Sequence, residues 1–341
     1  MKRTRTTIKD IASELNVSTS TVSRALSNYP AIKEETRKAV KKLAKKWNYQ
    51  PNMMALNFMN QTSTTIALIV PDITSYFFST AVTGIQDVFV STQYNIIICI
   101  SNESIKEETL IIKKLSKIQI AGILIAPAST NTNFDHIREF QTTNIPLVVF
   151  ARDCKGLKVH KVLVDDYSGS FQAVDYLIKS GCKRIAFITG GSNFLSTSWL
   201  PGCISALKEN NVPVLEELIV HTNGFKHEDG IAPIELLLKS KNIPDAIFAV
   251  NDRLAVSAMH IVKKFKFRIP EEISIIGFDD EPHSSYFTPA LSSVWQPVYD
   301  IGMLAARILL KDIDREEGVD LKLRHEVFKT ELIIRKTSKI I

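Results

Sequence analysis

Small hydroxyl side chains and one arginine recur between residues 18 and 27 at a spacing that suits contact with nucleic acid bases. At 100° per residue, one face of a helix over this segment would carry Thr19, Ser20, Ser23, Arg24 and Ser27. Thr and Ser reach base edges at close range, and Arg can donate two parallel hydrogen bonds to guanine. The segment predicts a helix that enters the major groove. The alternative is a small helical bundle with a polar surface, but Ser and Thr are poor residues inside helices.

The remainder of the chain lacks motifs for catalysis or phosphate binding. Neither Gly-x-Gly-x-x-Gly nor Gly-Lys-Ser/Thr occurs, and Ser168-Gly169-Ser170 lacks the frame of a nucleophile elbow. Asp279-Asp280 could act as a general base pair, although carboxylates after a strand as often bind a ligand hydroxyl. The cysteines are scattered singly, at Cys99, Cys154, Cys182 and Cys203. We therefore expect no enzyme, no cofactor, no metal ion and no disulfide.

Three short helices are predicted to hold the hydroxyl face in place. Thr7 and Ser18 are suited to cap the first two helices, and Asp10 completes a capping-box pattern with Thr7. The apolar stripe of the first helix consists of Ile8, Ile11, Ala12 and Leu15. A third helix from about residue 32 has one apolar face and one lysine-rich face. Two helices joined by a tight turn indicate a helix-turn-helix.

The net charge of +6 is concentrated in this first segment. Residues 1–61 carry twelve Lys and Arg against four Asp and Glu, a net charge of +8, and the other 280 residues carry −2. Such asymmetry is typical of a small nucleic-acid-binding module joined to a neutral body. The alternative is a solvated basic face that binds nothing.

Beyond residue 62, apolar runs typical of buried strands alternate with helical patterns. The predicted strands are Thr65–Val70, Tyr94–Ile100, Ala121–Ala126, Pro146–Phe150, Lys161–Val164, Arg184–Thr189, Leu218–His221, Asp245–Val250, Ser274–Phe278 and Ser293–Gln296. Predicted helices include Phe78–Phe89, Glu107–Lys117, Ser168–Ser180 and Ala255–Phe265. Ten strands exceed one small sheet, so we expect two doubly wound parallel lobes with a ligand cleft between them.

The first 52 residues resemble the helix-turn-helix of the lactose-repressor (LacI) family of bacterial transcription regulators. The resemblance is carried by TIKDIASELNVSTSTVSRALS at 7–27, ETRKAV at 35–40 and NYQPN at 48–52. It implies base contacts from Thr19, Ser20 and Arg24, and positions near the phosphates for Tyr49 and Asn52. The complete predicted DNA-contacting set is Thr7, Ser18, Thr19, Ser20, Thr21, Ser23, Arg24, Tyr49, Asn52 and Phe58.

Residues 51–61 form a predicted hinge between the DNA-binding domain, 1–50, and the core, 62–341. The segment Pro51–Met59 is apolar and uncharged, so alone it could be a linker packed on its own domain. The resemblance implies instead a helix that forms on DNA, pairs with its dimer mate and inserts an apolar wedge into the minor groove. Phe58 occupies the wedge position, where Leu is usual, and Met59 follows where a basic residue is common.

The resemblance continues through the body and implies a periplasmic-binding-protein-like core. Matching segments are VPDITSYFF at 70–78, VDD at 164–166, DAIFAVND at 245–252, IGFD at 276–279 and YFTPALSSVWQP at 286–297. By position, the candidate effector contacts are Asp72, Phe77, Phe78, Arg152, Phe225, Asn251, Asp252, Asp279 and Gln296, and Trp199 is added as a candidate stacking face. Carboxylates and amides suit adjacent hydroxyls and aromatic rings cover a C–H face, which fits a small polyol.

Two departures from the family pattern affect this cleft. The family's sugar-holding Arg before a Gly is absent from the segment 196–202, where Trp199 could supply a stacking face. Ala151 replaces an Asp that often precedes the position of Arg152. These changes are compatible with several effectors: an unusual sugar, an oligosaccharide or a sugar derivative. They are also compatible with loss of the response to a small molecule.

These observations predict an effector-controlled DNA-binding regulator, in this family most often a repressor. The expected partners are a pseudo-palindromic double-stranded operator, a carbohydrate effector and a second copy of the chain. A secreted sugar-binding protein would share the two lobes but would have no use for the basic segment, and the N-terminus has no signal-peptide pattern. We therefore expect a cytoplasmic homodimer, without a membrane segment or a C-terminal tetramerisation coil.

Overall fold

The computed structural model describes residues 6–49, 63–129, 133–190, 199–315 and 322–341. Contacts divide the chain into two compact units, Met1–Ser63 and Thr64–Ile341. The predicted hinge helix, including Asn52 and Phe58, lies outside the described residues.

The N-terminal unit contains three helices around a small core. They are α1 (Ile8–Glu14), α2 (Thr19–Leu26) and α3 (Glu34–Lys46). The two predicted caps are confirmed: Thr7 and Asp10 form a capping box, and the Ser18 side chain accepts a hydrogen bond from the Thr21 N–H. Each helix contributes at least one fully buried apolar side chain, and these are Ile11, Val22, Ala25 and Val40. Burial of this stripe fixes which face of α2 remains outside.

The C-terminal unit alternates strands and helices along most of its length. Its strands are β1 (Thr65–Val70), β2 (Asn95–Ile100), β3 (Gly122–Ile125), β4 (Leu147–Ala151), β5 (His160–Val164), β6 (Ile185–Thr189), β7 (Ile219–His221), β8 (Ala246–Ala249), β9 (Ser274–Asp279), β10 (Ser292–Trp295), β11 (His325–Phe328) and β12 (Glu331–Ile333). Its helices are α4 (Tyr76–Phe89), α5 (Ile105–Leu115), α6 (Asp135–Phe140), α7 (Asp166–Lys179), α8 (Trp199–Glu209), α9 (His227–Lys239), α10 (Asp252–Lys264) and α11 (Val298–Ile313).

The strands form two six-stranded sheets, which define a first and a second lobe. The first sheet has the order β11-β5-β4-β3-β1-β2, and every neighbouring pair is parallel. The second has the order β12-β10-β9-β8-β6-β7 and is parallel except for the β10–β12 pair. Alternate residues of β1 enter two separate apolar clusters, Ile66 and Leu68 on one face, Ala67 and Ile69 on the other. Both faces are therefore covered, as predicted for a doubly wound core.

The chain passes between the lobes three times, each time through a connection of one or two residues. These connections follow β5, β10 and β11. The first leads from Val164 to Asp166, and the second leads from Trp295 through Gln296 to α11. Short connections at one boundary are the arrangement that permits hinge closure of two lobes.

Two helices of the first lobe cross at unusually close range. A Cβ atom on Gly84 of α4 would lie 2.2 Å from the Tyr299 carbonyl oxygen, and one on Gly302 of α11 would lie 2.2 Å from that of Ala81. Only glycine permits both approaches. The crossing fixes α4, whose first turn carries Phe77 and Phe78, against α11, which follows Gln296.

The sequence-based strand assignments need two corrections. The run Tyr94–Ile100 was predicted to be buried, but β2 is an edge strand, and Ile97, Ile98 and Ile100 are 36%, 45% and 39% exposed. The edge strands β11 and β12 were not predicted, because both are short and partly exposed and neither contains a continuous apolar run. Among the described residues, no helix is long and apolar enough to cross a membrane.

Candidate DNA-binding and effector sites

The outer face of α2 carries the predicted base-reading side chains. Thr19, Ser20 and Arg24 are exposed, whereas Thr21 and Ser23 are half-buried. The guanidinium carbon of Arg24 lies 5.6 Å from the centroid of the Tyr29 ring, which supports the side chain at the end of the helix. The slim hydroxyl face and the arginine are thus available on one surface of the N-terminal unit.

Two of the predicted DNA-contacting hydroxyls also organise the helices. The Ser18 Oγ lies 2.7 Å from the Ser20 Oγ and 2.8 Å from the Thr21 Oγ1, at the start of α2. Thr7 donates to Asp10 at 2.8 Å within its capping box. The predicted phosphate neighbour Tyr49 packs half-buried on the three-helix core, and desolvation raises the pKa of its phenol. These residues hold the reading face in addition to any contact with DNA.

A second face of the N-terminal unit is strongly basic. It is formed by lysines of α3 that are all exposed, namely Lys38, Lys41, Lys42, Lys45 and Lys46. Exposed ammonium groups in such number release counterions from DNA phosphates when they bind. The +8 segment thus presents a lysine face as well as a hydroxyl face.

A cleft that is partly open to solvent lies between the two lobes of the C-terminal unit. Its lining comes mainly from residues at or just after the carboxyl ends of parallel strands, where doubly wound sheets bind ligands. The lining residues are Asp72, Ser75, Phe77, Phe78, Glu103, Ala151, Arg152, Asp166, Trp199, Phe225, Val250, Asn251, Arg253, Asp279 and Gln296. Nine of the ten predicted effector contacts are among them.

Arg152 occupies the centre of the polar wall, directly after β4. Its two terminal nitrogens each donate to one carboxylate oxygen of Glu103 at 2.8 Å, and one of them also donates to the Pro127 carbonyl oxygen at 2.9 Å. The guanidinium carbon lies 5.2 Å from the ring centroid of Phe78, in the first lobe, and 5.4 Å from that of Phe225, in the second. A paired cation therefore lies between aromatic rings of the two lobes.

An ion pair crosses the cleft between the lobes. Arg253, in the first turn of α10, donates to the Asp72 carboxylate at 3.0 Å and to the Thr74 hydroxyl at 3.3 Å. Asp72 in turn accepts hydrogen bonds from the Thr74 N–H and hydroxyl, both at 2.7 Å. Since Asp72 follows β1 and Arg253 belongs to the second lobe, the pair links the two lobes directly.

Asp279 and Asp166 are half-buried acids in the cleft wall. Gln296 donates to Asp279 at 2.7 Å, and the backbone of Asp279 has a φ of 110°, which is strained for a residue with a side chain. Burial and the neighbouring acids hold the pKa of Asp279 well above its usual range. Burial also raises the pKa of Asp166 to about 8, although the Trp199 side chain and Arg152 oppose the shift.

The assignment of Asp252 as an effector contact needs correction. The side chain is 1% exposed and does not line the cleft. Its carboxylate instead accepts hydrogen bonds from the Glu281 N–H and from the Ser284 and Ser293 hydroxyls, at 2.5–2.8 Å. Burial raises its pKa to about 7, and these three donors oppose the shift. Asp252 therefore positions the loop between β9 and β10 and the start of β10.

Phe225 and Asn251 are held together in the second lobe. Asn251 caps α10 by accepting from the Leu254 N–H at 2.8 Å, and its amide donates to the Phe225 carbonyl oxygen at 2.9 Å. Gly190, at the end of β6, leaves room for the Phe225 ring, since a Cβ there would lie 2.3 Å from ring atoms. This contact gives Gly190 a structural role.

Three charged residues of the cleft were not among the predicted contacts, namely Glu103, Asp166 and Arg253. Asp166 was detectable, because it follows a predicted strand within the matching VDD segment. Glu103 follows β2 in a loop where Asn102 and Glu103 both have positive φ, at 50° and 56°. No periodicity in the sequence indicates a backbone with positive φ. The direction of the Glu103 side chain could therefore be seen only in the structure.

Two family models match the chain. Residues 7–52 match the model described as bacterial regulatory proteins, lacI family, and residues 174–338 match the periplasmic binding protein-like domain. Both matches agree with the resemblance inferred from the sequence.

Proteins similar over nearly the whole chain are regulators by name. The probable HTH-type transcriptional repressor ExuR of Bacillus subtilis (strain 168) is 37% identical over 336 residues, 96% of this chain and 97% of that protein. Catabolite control protein A of Priestia megaterium is 33% identical over 312 residues, 91% of this chain and 93% of that protein. A solved complex of the transcriptional regulator CelR with cellobiose is 25% identical, with a TM-score of 0.73, and covers 98% of this chain and 100% of that one. These relatives confirm the prediction of a regulator rather than an enzyme.

Proposed function

The chain belongs to the LacI family of bacterial transcriptional regulators, and we propose that it is a homodimeric repressor whose operator affinity is set by a sugar-like effector in the cleft. The name of the Bacillus subtilis relative supports repression. Because such a regulator acts on the chromosome, we assign it to the bacterial cytoplasm.

The arrangement of the cleft is the observation that carries the effector part of the proposal. Acids and amides from both lobes face the same space as four aromatic rings, those of Phe77, Phe78, Trp199 and Phe225. Such a combination binds hydroxyl groups by hydrogen bonds and covers apolar ring faces. The cellobiose in the related CelR complex supports a carbohydrate.

Operator binding is assigned to the N-terminal unit. The proposed base contacts are Thr19, Ser20 and Arg24, and the exposed lysines of α3 supply affinity for phosphates. A pseudo-palindromic operator follows from a symmetric dimer, since each copy of the chain would read one half-site. Asn52 and Phe58 remain proposed contacts of the hinge.

Dimerisation is assigned to the C-terminal unit, with β2 as its proposed centre. Three isoleucines are partly exposed along this edge strand, Ile97, Ile98 and Ile100. An apolar edge strand invites pairing with another chain unless something covers it. A second copy would cover the strand and leave the cleft of each chain accessible.

The proposed signal passes through the connections between the lobes. Asp166 and Gln296 line the cleft, and each lies in or next to one of the three connections. An effector that contacts both residues changes the angle between the lobes, and a ligand shifts that equilibrium only through its different affinity for the two states.

Operator binding is tested by selecting the genomic DNA fragments that the purified protein binds. Gel shifts with the selected DNA, with and without candidate sugars, then test the effector response. We expect enrichment of one inverted-repeat sequence near genes for carbohydrate use and a sugar-dependent change in its affinity. Binding without sequence preference would contradict the proposal.

A further inference from the structure

The charge distribution of the cleft points to a more specific ligand. We propose that the effector is a polyol that carries a protonated amine, of which an amino sugar is the simplest example. This inference rests on the proposed effector role of the cleft and adds the charge of the ligand to it.

The lining of the cleft contains more acidic side chains than basic ones. It contains four acids, Asp72, Glu103, Asp166 and Asp279, but only two bases, Arg152 and Arg253. A ligand in the cleft therefore faces two more acidic side chains than basic side chains.

Both arginines are already paired with the other two acids. Arg152 forms its two hydrogen bonds with Glu103, and Arg253 is bound to Asp72. Among the residues that the structure describes, neither Asp166 nor Asp279 has a salt-bridge partner; Asp279 accepts instead from the neutral amide of Gln296. The two remaining acids are the ones for which a cationic ligand would supply the missing charge.

Their surroundings favour a cation in a second way. The charges of Asp252, Glu281 and Asp166 all raise the pKa of Asp279, in addition to burial, while Arg253 alone lowers it. With a pKa of about 8, Asp166 keeps its proton at pH 7 when the cleft is empty. A bound ammonium group favours the ionised form of both acids, whereas a carboxylate or phosphate would add a further negative charge to the cluster.

The aromatic walls already accommodate a cation. The Arg152 guanidinium lies within 5.4 Å of the ring centroids of Phe78 and Phe225, and the Phe77 and Trp199 side chains line the same space. The negative faces of such rings attract an ammonium group. This observation is independent of the acids, and it separates the cleft from a simple cluster of carboxylates.

The first experiment compares ligands that differ only in charge. The full-length protein, in a buffer without amines, is titrated with D-glucosamine, D-glucose and D-glucuronate and with the corresponding galactose series. We expect thermal stabilisation and calorimetric binding by an amino sugar, at least about tenfold tighter than by its neutral counterpart, because a nearby opposite charge changes such equilibria by roughly one to three powers of ten.

Variants identify the groups that carry the preference. Asp279→Asn and Asp166→Asn should each reduce amino-sugar affinity about tenfold, whereas Asp300→Asn, an exposed acid of α11, should not. Glu103→Gln releases the charge of Arg152 and should improve glucuronate binding. Titrations in buffers of different ionisation enthalpy should detect proton release on amino-sugar binding at pH 7, which Asp166→Asn should diminish.

The outcomes separate this inference from the proposed function. If a neutral or acidic sugar binds as tightly as the amino sugar and alters operator affinity, the proposed function stands and the amine preference is wrong. If no sugar of the panel binds, the sugar-effector part of the proposed function fails, and the amine preference fails with it.

Discussion

The two sites of the molecule expose their functional groups to opposite degrees. The proposed DNA-reading residues Thr19, Ser20 and Arg24 lie on one exposed helix face within six positions of the sequence. The cleft residues come from seven or more chain segments between residues 72 and 296, and Arg152, Asn251 and Gln296 are buried. Residues of the exposed helix face can be substituted without loss of folding stability, whereas residues of the cleft also hold the two lobes together.

This difference predicts where substitutions act. In the N-terminal unit, core and reading face are separate, since Ile11, Val22 and Val40 point inward and the hydroxyls point outward. In the C-terminal unit, Asp72 and Arg253 belong both to the cleft wall and to the contact between lobes. Variants of the cleft should therefore alter stability and ligand response together, and variants of the reading face should alter DNA binding alone.

The largest effect is expected from Asp252→Ala, which tests whether the residues that support the cleft from behind also stabilise the fold. The substitution leaves the Glu281 N–H and two serine hydroxyls without their acceptor inside the protein. At about 1–3 kcal/mol for each unsatisfied buried donor, we expect a loss of roughly 3 kcal/mol or more of unfolding free energy. Thermal unfolding measures it, with the exposed Glu209→Ala as control; an unchanged midpoint would contradict the positioning role.

The sequence was sufficient where one local pattern determines both structure and exposure. The caps Thr7 and Ser18 and the apolar stripe around Ile11 lie within a few residues of what they organise, so they predicted the helices and the reading face. Apolar runs likewise predicted ten strands, because burial on both sheet faces requires continuous hydrophobic sequence, although the edge strand β2 has such a run without being buried.

Local pattern failed where tertiary contacts decide the role of a residue. Asn251 and Asp252 are adjacent and equally polar, yet one lines the cleft and the other is buried behind it. The difference depends on β9, where Gly277 has no side chain: a Cβ there would lie 2.2 Å from the Asp252 Oδ1. Likewise, the pairing of Arg253 with Asp72, 181 residues away, depends on how the two lobes meet.

Arg24→Ala tests the independence of the DNA-reading face. We expect a loss of about 1–3 kcal/mol of operator-binding free energy and relaxed specificity at one base pair, since the bidentate contact disappears. Thermal stability should not change, because the side chain is exposed. Arg24→Lys is the matched control, which keeps the charge and the salt dependence but loses the planar fork. Gel shifts on wild-type and single-base-changed operators measure both; equal affinities for all three proteins would refute the assignment of Arg24.

Asp166→Asn tests whether the cleft contributes to the pH dependence of the fold. The folded-state pKa of about 8 is raised above that of an unfolded Asp, so the folded protein binds an extra proton between these values. Stability should consequently fall as the pH rises from about 4 towards 8. The neutral Asn should flatten this dependence and raise the unfolding midpoint at pH 8 by a few degrees, where about 1 kcal/mol corresponds to roughly 2–4 °C. Thermal unfolding from pH 5 to 8.5 checks the sign; parallel curves for both proteins would contradict it.

The smallest effect on stability is expected from the ion pair between the lobes, which separates two roles of Asp72. Both partners remain about one-fifth exposed, so a double-mutant cycle of Asp72→Asn and Arg253→Gln should give a coupling energy of only about 0.5–1 kcal/mol.

Effector binding by the same variants distinguishes the two roles of Asp72 more sharply. If Asp72 acts only through the pair, the two single variants should weaken effector binding equally, because each removes the same link between the lobes. If Asp72 also binds the effector, as proposed, Asp72→Asn should cost more than Arg253→Gln, and the double variant should be no better than Asp72→Asn alone. Equal losses in calorimetric titrations would remove Asp72 from the effector contacts and leave it as a residue that links the lobes.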